Sequence, residues 1–141
     1  IPFDSYVKKS VFDPLGIWSY HWDTTYADIQ GMKMPLHEVA KLGQLYMANG
    51  RWNGVQILQQ SFVAESLKPH VDRGFPEQAG YGYLWWIGSI EANPIFFASG
   101  FGGQYLIAVP DKEIVVVIAS QMDRPHPENK IIVRNLLRDE S

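Results

Sequence analysis

The spacing of apolar residues along the chain changes about halfway through it. In the first half they recur at the i, i+3, i+4 and i+7 spacing of one buried helix face. They are Leu36, Val39, Ala40, Gly43, Tyr46 and Met47. Residues 81–87, 95–109 and 113–120 are instead rich in aromatic and β-branched side chains, which favour strands. We therefore expect helices in the first half and a sheet in the second.

Proline, glycine and serine set the expected limits of the helices. A first helix over residues 3–11 should stop at Pro14 and Gly16, since proline and glycine interrupt helices. Pro35 should open the long second helix, because its fixed φ suits a first helical turn. Ser61 is placed to cap a third helix that ends before Pro69.

Other segments of the first half are predicted to be turns or loops. Trp52-Asn53-Gly54-Val55 predicts a tight hairpin, because Asn-Gly tolerates the positive φ values of a type I′ turn. Residues 17–33 and 70–80 have no dominant period, so both are predicted to be loops.

The strand segments predict an antiparallel meander of three strands, because the connections between them are short. Residues 115–119 are continuously apolar, which indicates a strand covered on both faces. A terminal amphipathic helix over residues 127–138 would cover one face with Ile132, Val133, Leu136 and Leu137. The predicted fold class is α+β: a three-stranded antiparallel meander covered by helices and preceded by a helical segment. We expect one domain over residues 1–141, with 1–79 mostly helical and 80–141 forming the sheet and terminal helix.

Composition excludes several classes of function. The net charge is −3 and the basic residues are scattered, so no nucleic-acid partner is predicted. No apolar run approaches the roughly 18 residues that a membrane helix needs. The chain has no cysteine, and its four histidines lack the spacing of a metal site. Neither a metal nor a cofactor is predicted, and composition leaves the compartment open.

The segment Ala98-Ser99-Gly100-Phe101-Gly102-Gly103-Gln104 is the main candidate for a functional site. We interpret it as a strand whose small residues let an acyl group lie against the sheet edge, because no Cβ intervenes at glycine. A glycine-rich strand with a bulge explains the same residues without any function. The residues alone leave both interpretations open.

The order and spacing of short segments resemble the penicillin-recognising serine hydrolases, which include class C β-lactamases, penicillin-binding proteins and related esterases. The segments are residues 4–7, 12–16, 31–34, 40–46, 50–54, 57–58, 81–86, 98–104 and 109–111. The resemblance covers nearly all of the chain, but it corresponds to only the C-terminal part of a complete family domain. It implies a partial β-lactamase/transpeptidase-like fold and favours an extracytoplasmic, periplasmic location.

The resemblance also implies roles for the candidate residues. Ser99 and Gly100 match the second and third positions of the family's Lys-Thr-Gly-like triplet, and Ala98 stands where a lysine or histidine often stands. By position, the Phe101 N–H would donate to the oxyanion, while Ser99 and Gln104 would contact substrate. Without a cation at Ala98, a substrate carboxylate loses a charge-assisted hydrogen bond, which argues against penicillin turnover.

The family's nucleophile is a serine three residues before a lysine, and Ser5-Tyr6-Val7-Lys8 fits that pattern literally. We do not assign it, because so short a pattern occurs by chance and its position aligns with a helix that follows the family's tyrosine motif. No Tyr-x-Asn or Ser-x-Asn element occurs in the sequence. No catalytic residue is therefore predicted within this chain.

Five residues in the first predicted loop are further candidates for substrate contact, because that loop borders the cleft in the family. They are Trp18, Tyr20, His21, Trp22 and Tyr26. Aromatic packing beneath a long loop is the alternative. Trp85 and Trp86, adjacent on a strand, should point to opposite faces and both belong to the core.

The resulting hypothesis is a portion of a serine hydrolase that acts on an ester or amide through an acyl-enzyme, with the nucleophile outside this chain. Alone, the chain should be inactive. The alternative is a non-catalytic binding or scaffold domain that keeps the fold. The expected partner is a small-molecule ester or amide, and a bared sheet edge should promote self-association.

Overall fold

The computed structural model contains an antiparallel sheet flanked by helices. It describes residues 1–23, 31–121 and 130–139. The helical elements are α1 (Phe3–Val7), a π-helical turn (Lys8–Phe12), α2 (Asp13–Leu15), α3 (Leu36–Met47), α4 (Gln60–Ser66), a 3₁₀ turn (Pro110–Lys112) and α5 (Lys130–Asp139). The strands are β1 (His21–Asp23), β2 (Gly31–Lys33), β3 (Arg51–Trp52), β4 (Val55–Gln56), β5 (Val71–Gly74), β6 (Ala79–Tyr81), β7 (Trp86–Ile90), β8 (Asn93–Gly100), β9 (Gln104–Val109) and β10 (Ile114–Ile118).

The main sheet contains six strands in the order β10-β9-β8-β7-β6-β5, and every neighbouring pair is antiparallel. The mixed helix–sheet class is as predicted, but the expected count of three strands is wrong. The segment 70–80 is a hairpin of β5 and β6 rather than a loop. Its strands have only four and three residues, so backbone pairing forms there without a hydrophobic period to reveal it.

The segment 95–109, predicted as a single strand, folds back on itself and supplies both β8 and β9. β8 ends at Gly100 and β9 begins at Gln104, so the candidate segment 98–104 is the end of a hairpin. Gly102 and Gly103 have φ values of 89° and 82°, which other residues adopt only with strain. The segment 81–87 is also divided, because Gly82–Trp85 connects β6 to β7.

The helical half largely follows its sequence signals. Helical structure runs from Phe3 to Leu15 and stops at Gly16, which has a left-handed φ of 64°. Pro35 is the N-cap of α3, and the Asn53-Gly54 hairpin joins β3 to β4 as predicted. The predicted cap is wrong: Ser61 lies inside α4, and Gln59 occupies the N-cap position.

The predicted loop 17–33 contains a two-stranded hairpin. Trp22 pairs with Met32, and His21 pairs with Lys33. The strands are only three residues each, too short to produce a period in the sequence. Residues 24–30, which include Tyr26, lie outside the described residues.

The sheet has a core on each face, as the continuous apolar run of β10 predicted. On one face Ile95, Phe97, Ile107 and Val109 pack with Val133 and Leu137 of α5, and these side chains are buried. On the other, Phe96, Leu106 and Ala108 pack against Val39, Leu42, Tyr46 and Met47 of α3. Trp85 belongs to the α3 face and Trp86 to the α5 face, so the prediction that they point in opposite directions is confirmed.

A third cluster joins the N-terminal helices to α3. Phe12, Leu15, Ile17 and Leu45 are its buried members. The predicted α5 face is only half right, because Val133 and Leu137 are buried whereas Ile132 and Leu136 remain about half exposed. Leu36, expected on the buried face of α3, is also exposed.

Candidate functional site

The candidate site lies at the turn that joins the neighbouring strands β8 and β9 of the main sheet. Ser99 is opposite Tyr105 and Gly100 is opposite Gln104, so Phe101, Gly102 and Gly103 form the connection. Phe101 is 76% exposed. Gly102 and Gly103 are buried, and their left-handed backbone lets the chain reverse direction behind Phe101. The residues that this hairpin end exposes are Gly100, Phe101 and Gln104.

Ser120, just beyond β10, fixes this turn from the side. Its hydroxyl is hydrogen-bonded to the Gly102 carbonyl oxygen and lies 3.2 Å from that of Gly103. The Gln104 side-chain amide also approaches the turn, 3.4 Å from the carbonyl oxygen of Phe101. Sequence reasoning missed Ser120, because its role depends on the pairing of β9 with β10 and no local motif marks it.

A cleft of about 440 Å³ opens beside the turn on the α3 face of the sheet. One wall consists of sheet residues, among them Ala98, Ser99, Gly100 and Gln104. The other consists of residues from β2 and α3 and the segment between them: Met32, Lys33, Met34, Leu36 and Val39. The exposed Leu36 is thus accounted for as a lining residue. An apolar cleft with a few polar groups is the usual form of a small-molecule site.

A second, smaller cleft of about 310 Å³ lies on the α5 face. Ser99 and Gly100 line both clefts, whereas Phe101 lines only the smaller one among the described residues. The four predicted site residues are therefore neighbours in space, but they are divided between two faces of the sheet. Three of them meet in the larger cleft.

The smaller cleft contains a nearly buried ionic contact. The Glu77 carboxylate accepts hydrogen bonds from the Lys130 ammonium and, at 3.1 Å, from the Tyr105 hydroxyl. The Lys130 ammonium also lies 4.5 Å from the centre of the Phe97 ring, a cation–π distance. These contacts join the β5–β6 hairpin to α5.

Charge is sparse in the larger cleft. Ala98 lines this cleft and contributes no charge. Within the part of the chain that the structure describes, Lys33 is the one charged residue that lines it. Lys33 is exposed, and its ammonium lies 3.9 Å from a carboxylate oxygen of Asp23, at the outer limit of an ion pair.

Ser5 and Lys8 lie apart from both clefts. Both residues are exposed, and the Lys8 ammonium is bound to the Asp13 carboxylate at 2.5 Å. This hydrogen bond raises the pKa of Lys8 above its ordinary value of 10.5. A lysine that activates a serine needs a lowered pKa, so the shift is opposite to that required.

The aromatic candidates of the first predicted loop mostly pack together. Tyr20 lies 4.7 Å from Phe12 between ring centres, and Trp22 also stacks on Phe12. Trp18 and His21 are exposed, and neither belongs to the described residues that line the clefts. For Tyr20 and Trp22 the packing alternative therefore describes the geometry better.

None of the helices in the described segments is long and apolar enough to cross a membrane. Across residues 1–23, 31–121 and 130–139, no three acidic or histidine side chains lie close enough to hold a metal ion.

Comparison with known families identifies the fold. The Beta-lactamase family model matches residues 2–138, so the chain belongs to this family of serine hydrolases. No curated protein matches the chain at a significant level.

Solved structures support the same assignment. A Bacillus anthracis protein provisionally described as a 6-aminohexanoate-dimer hydrolase is 26% identical with a TM-score of 0.73, and the match covers 94% of this chain. A provisionally described beta-lactamase from Bacteroides dorei DSM 17855 is 16% identical with a TM-score of 0.66 over 93% of this chain, which supports the fold alone. The chain spans 36% and 49% of the lengths of these two proteins, respectively.

Proposed function

We propose that this chain supplies one wall of the acyl-binding cleft of a serine hydrolase that cleaves an ester or amide through an acyl-enzyme. The observation that carries the proposal is the larger cleft, in which Ser99, Gly100 and Gln104 line one side at the end of the β8–β9 hairpin. Family membership supports the reaction class, since serine hydrolases form acyl-enzymes. The similar Bacillus anthracis protein is described as a 6-aminohexanoate-dimer hydrolase, which is consistent with hydrolysis of an amide or ester.

Within this site, each candidate has a separate role. Ser99 offers a hydroxyl to substrate, and Gly100 allows the substrate to approach the strand end closely. The Phe101 N–H is proposed as one donor to the oxyanion on its position in the family triplet alone, since among the described residues Phe101 lines the smaller cleft rather than the larger one. Ser120 holds the turn in place through the carbonyl oxygens of Gly102 and Gly103. A preorganised donor stabilises the transition state more than a mobile one, because no reorganisation is needed during the reaction.

The nucleophile is proposed to come from a Ser-x-x-Lys element outside these 141 residues. Ser5 and Lys8 do not meet the requirement, because Lys8 is held by Asp13 away from the cleft. The chain alone is then expected to bind acyl compounds without turning them over. The alternative is a non-catalytic scaffold domain. It would be indicated if no serine of the gene product became acylated.

Acyl-enzyme trapping tests this proposal. The full gene product and the 141-residue chain are each mixed with p-nitrophenyl hexanoate, quenched in acid and mapped by peptide mass spectrometry. We expect a hexanoyl adduct on a serine outside residues 1–141 in the gene product and none on the isolated chain. An adduct on Ser5 would overturn the assignment of the nucleophile, and no adduct on either protein would favour the scaffold.

A pair of serine variants tests the wall itself. In the full gene product, Ser99→Ala should raise KM for p-nitrophenyl hexanoate by about two- to ten-fold, since one hydrogen bond contributes about 0.5–1.5 kcal/mol. Ser89→Ala is the matched control, because Ser89 is exposed on the neighbouring strand β7 outside both clefts. Equal kinetics for the two variants would count against a role for Ser99.

We further propose that the outer edge of β10 pairs with a second copy of the chain. Among the described strands β10 has β9 as its single neighbour, and its five residues are all aliphatic. An apolar edge strand without a charge or proline is prone to pair with another edge.

A further inference from the structure

The larger cleft is apolar along most of its described lining and carries one cationic residue at the wall opposite the candidate turn. Met32, Met34, Leu36 and Val39 would contact an aliphatic chain, and Lys33 lies among them on β2. Ser99, Gly100 and Gln104 form the polar end on the sheet. A ligand that spans the cleft would therefore meet neutral hydrogen-bonding groups on the sheet and, on the opposite wall, a residue with a cationic side chain.

The charge of Lys33 is available to a ligand. The residue is exposed, and its pairing with Asp23 at 3.9 Å is long for a charged hydrogen bond. Asp23 is itself partly exposed, so water screens the pair and the contact contributes little free energy. An anion in the cleft would thus compete with a weak partner rather than with a buried one.

We propose that Lys33 recognises an anionic group, such as a carboxylate, at the far end of the acyl substrate. The cation that Ala98 does not provide on the sheet is then supplied from the opposite wall. This inference rests on the acyl-binding role proposed above, and it narrows the substrate class to esters or amides whose acyl chain ends in a carboxylate.

Two matched ligands separate the charge from the acyl chain. Monomethyl adipate carries one ester and one carboxylate, whereas dimethyl adipate carries the same chain without charge. Each is titrated into the ¹⁵N-labelled 141-residue chain while the backbone amide shifts of residues 98–104 are followed. We expect monomethyl adipate to bind about two- to five-fold more tightly, because an exposed ion pair contributes at most about 1 kcal/mol. The preference should disappear at about 1 M salt, where charges are screened beyond about 3 Å.

Substitutions test whether Lys33 causes the preference for monomethyl adipate over dimethyl adipate. Lys33→Gln should abolish the preference, so that the two ligands bind with equal affinity, and Asp23→Asn should increase the preference by removing the competing carboxylate. Lys112→Gln is the matched control, because Lys112 is exposed in the turn at the opposite end of β9. Its preference should equal that of the unaltered chain.

The outcomes distinguish this inference from the proposed function. If both ligands bind and the preference is absent, or survives in Lys33→Gln, the role of Lys33 is overturned while the acyl-binding role stands. If neither ligand shifts the amides of residues 98–104, the acyl-binding role and the inference that rests on it both fail.

Discussion

At the scale of single residues, we expect the Glu38–Lys41 ion pair to affect the stability of the fold more than the exposed ion pairs do. The Glu38 side chain is only 7% exposed, and its carboxylate lies 2.6 Å from the Lys41 ammonium. Lys41 also donates to the Gly16 carbonyl oxygen at 2.8 Å, so the pair ties α3 to the end of α2. Removing one partner would leave the other charge without compensation.

Stability should therefore depend on pH through Glu38. The hydrogen bond from Lys41 is the main cause that holds the pKa of Glu38 below its ordinary value of 4.5. A lowered folded-state pKa stabilises the fold above the unfolded value, and this contribution is lost as pH falls through the folded value. Urea unfolding should show Glu38→Gln to be less stable than the parent chain at pH 7, with the gap closing below about pH 4.5.

Glu65 provides the matched control for this measurement. It also pairs with a lysine three residues later, Lys68 at 2.7 Å, but its side chain is 42% exposed. Although Lys68 likewise lowers the pKa of Glu65, solvent screens the pair. Glu65→Gln should change stability much less than Glu38→Gln. Equal losses for both variants would refute the importance of burial at Glu38.

At the scale of elements, the terminal helix α5 stabilises the fold through one narrow row of buried side chains. Val133 and Leu137 are buried against β9 and β10, whereas Leu136 is 46% exposed. Leu137→Ala should therefore destabilise the chain by about 2–5 kcal/mol, as truncation of a buried leucine does. Leu136→Ala should stay within about 0.5 kcal/mol. Thermal and urea unfolding of the two variants would measure the difference, and similar losses would contradict the observed orientation of the helix.

Elements with a strong local signal could be predicted from the sequence. Helix α3 follows from its apolar spacing and Pro35, and the β3–β4 hairpin follows from Asn53-Gly54. The β5–β6 hairpin could not be predicted, because its strands are short and its pairing with β7 is a tertiary effect. The chain reversal at Gly102-Gly103 could not be predicted either. Residues 95–109 have the pattern of one continuous strand, and glycine within a strand is equally compatible with a bulge.

The candidate site was predictable only in part for the same reason. Ser99, Gly100 and Gln104 belong to one segment, and the glycine-rich pattern of residues 98–104 predicts them. Lys33 and Ser120 come from distant segments and reach the site only when β2 and β10 have taken their places. No spacing rule connects residues 33, 99 and 120, since their proximity is a property of the assembled sheet and its neighbours.

At the scale of the whole molecule, the two edges of the sheet differ in character. β10 presents five aliphatic residues, whereas β5 is Val71–Gly74 and includes a charged pair, Asp72 and Arg73. Charged and irregular edge strands resist pairing with other chains, while apolar ones favour it. Self-association of the chain should therefore involve β10.

Hydrogen exchange over a concentration series tests this proposal with an internal control. As protein concentration rises from micromolar to millimolar, amide exchange should slow in β10 and remain unchanged in β5. Analytical ultracentrifugation of the same samples should show dimers at the upper end. A monomer at every concentration, or equal slowing at both edges, would rule out pairing through β10.

The hydrogen bonds from Ser120 to the turn have a consequence for how this domain can change during evolution. Ser120 reaches Gly102 and Gly103 only while the five residue pairs from Ile114–Val109 to Ile118–Tyr105 remain aligned. A single-residue insertion within either strand would reverse which side chains face α3 and α5, and it would carry Ser120 out of reach. We therefore expect changes in length to be tolerated in the exposed Pro110–Lys112 connection, whereas β9 and β10 should keep a constant length between that connection and the cleft.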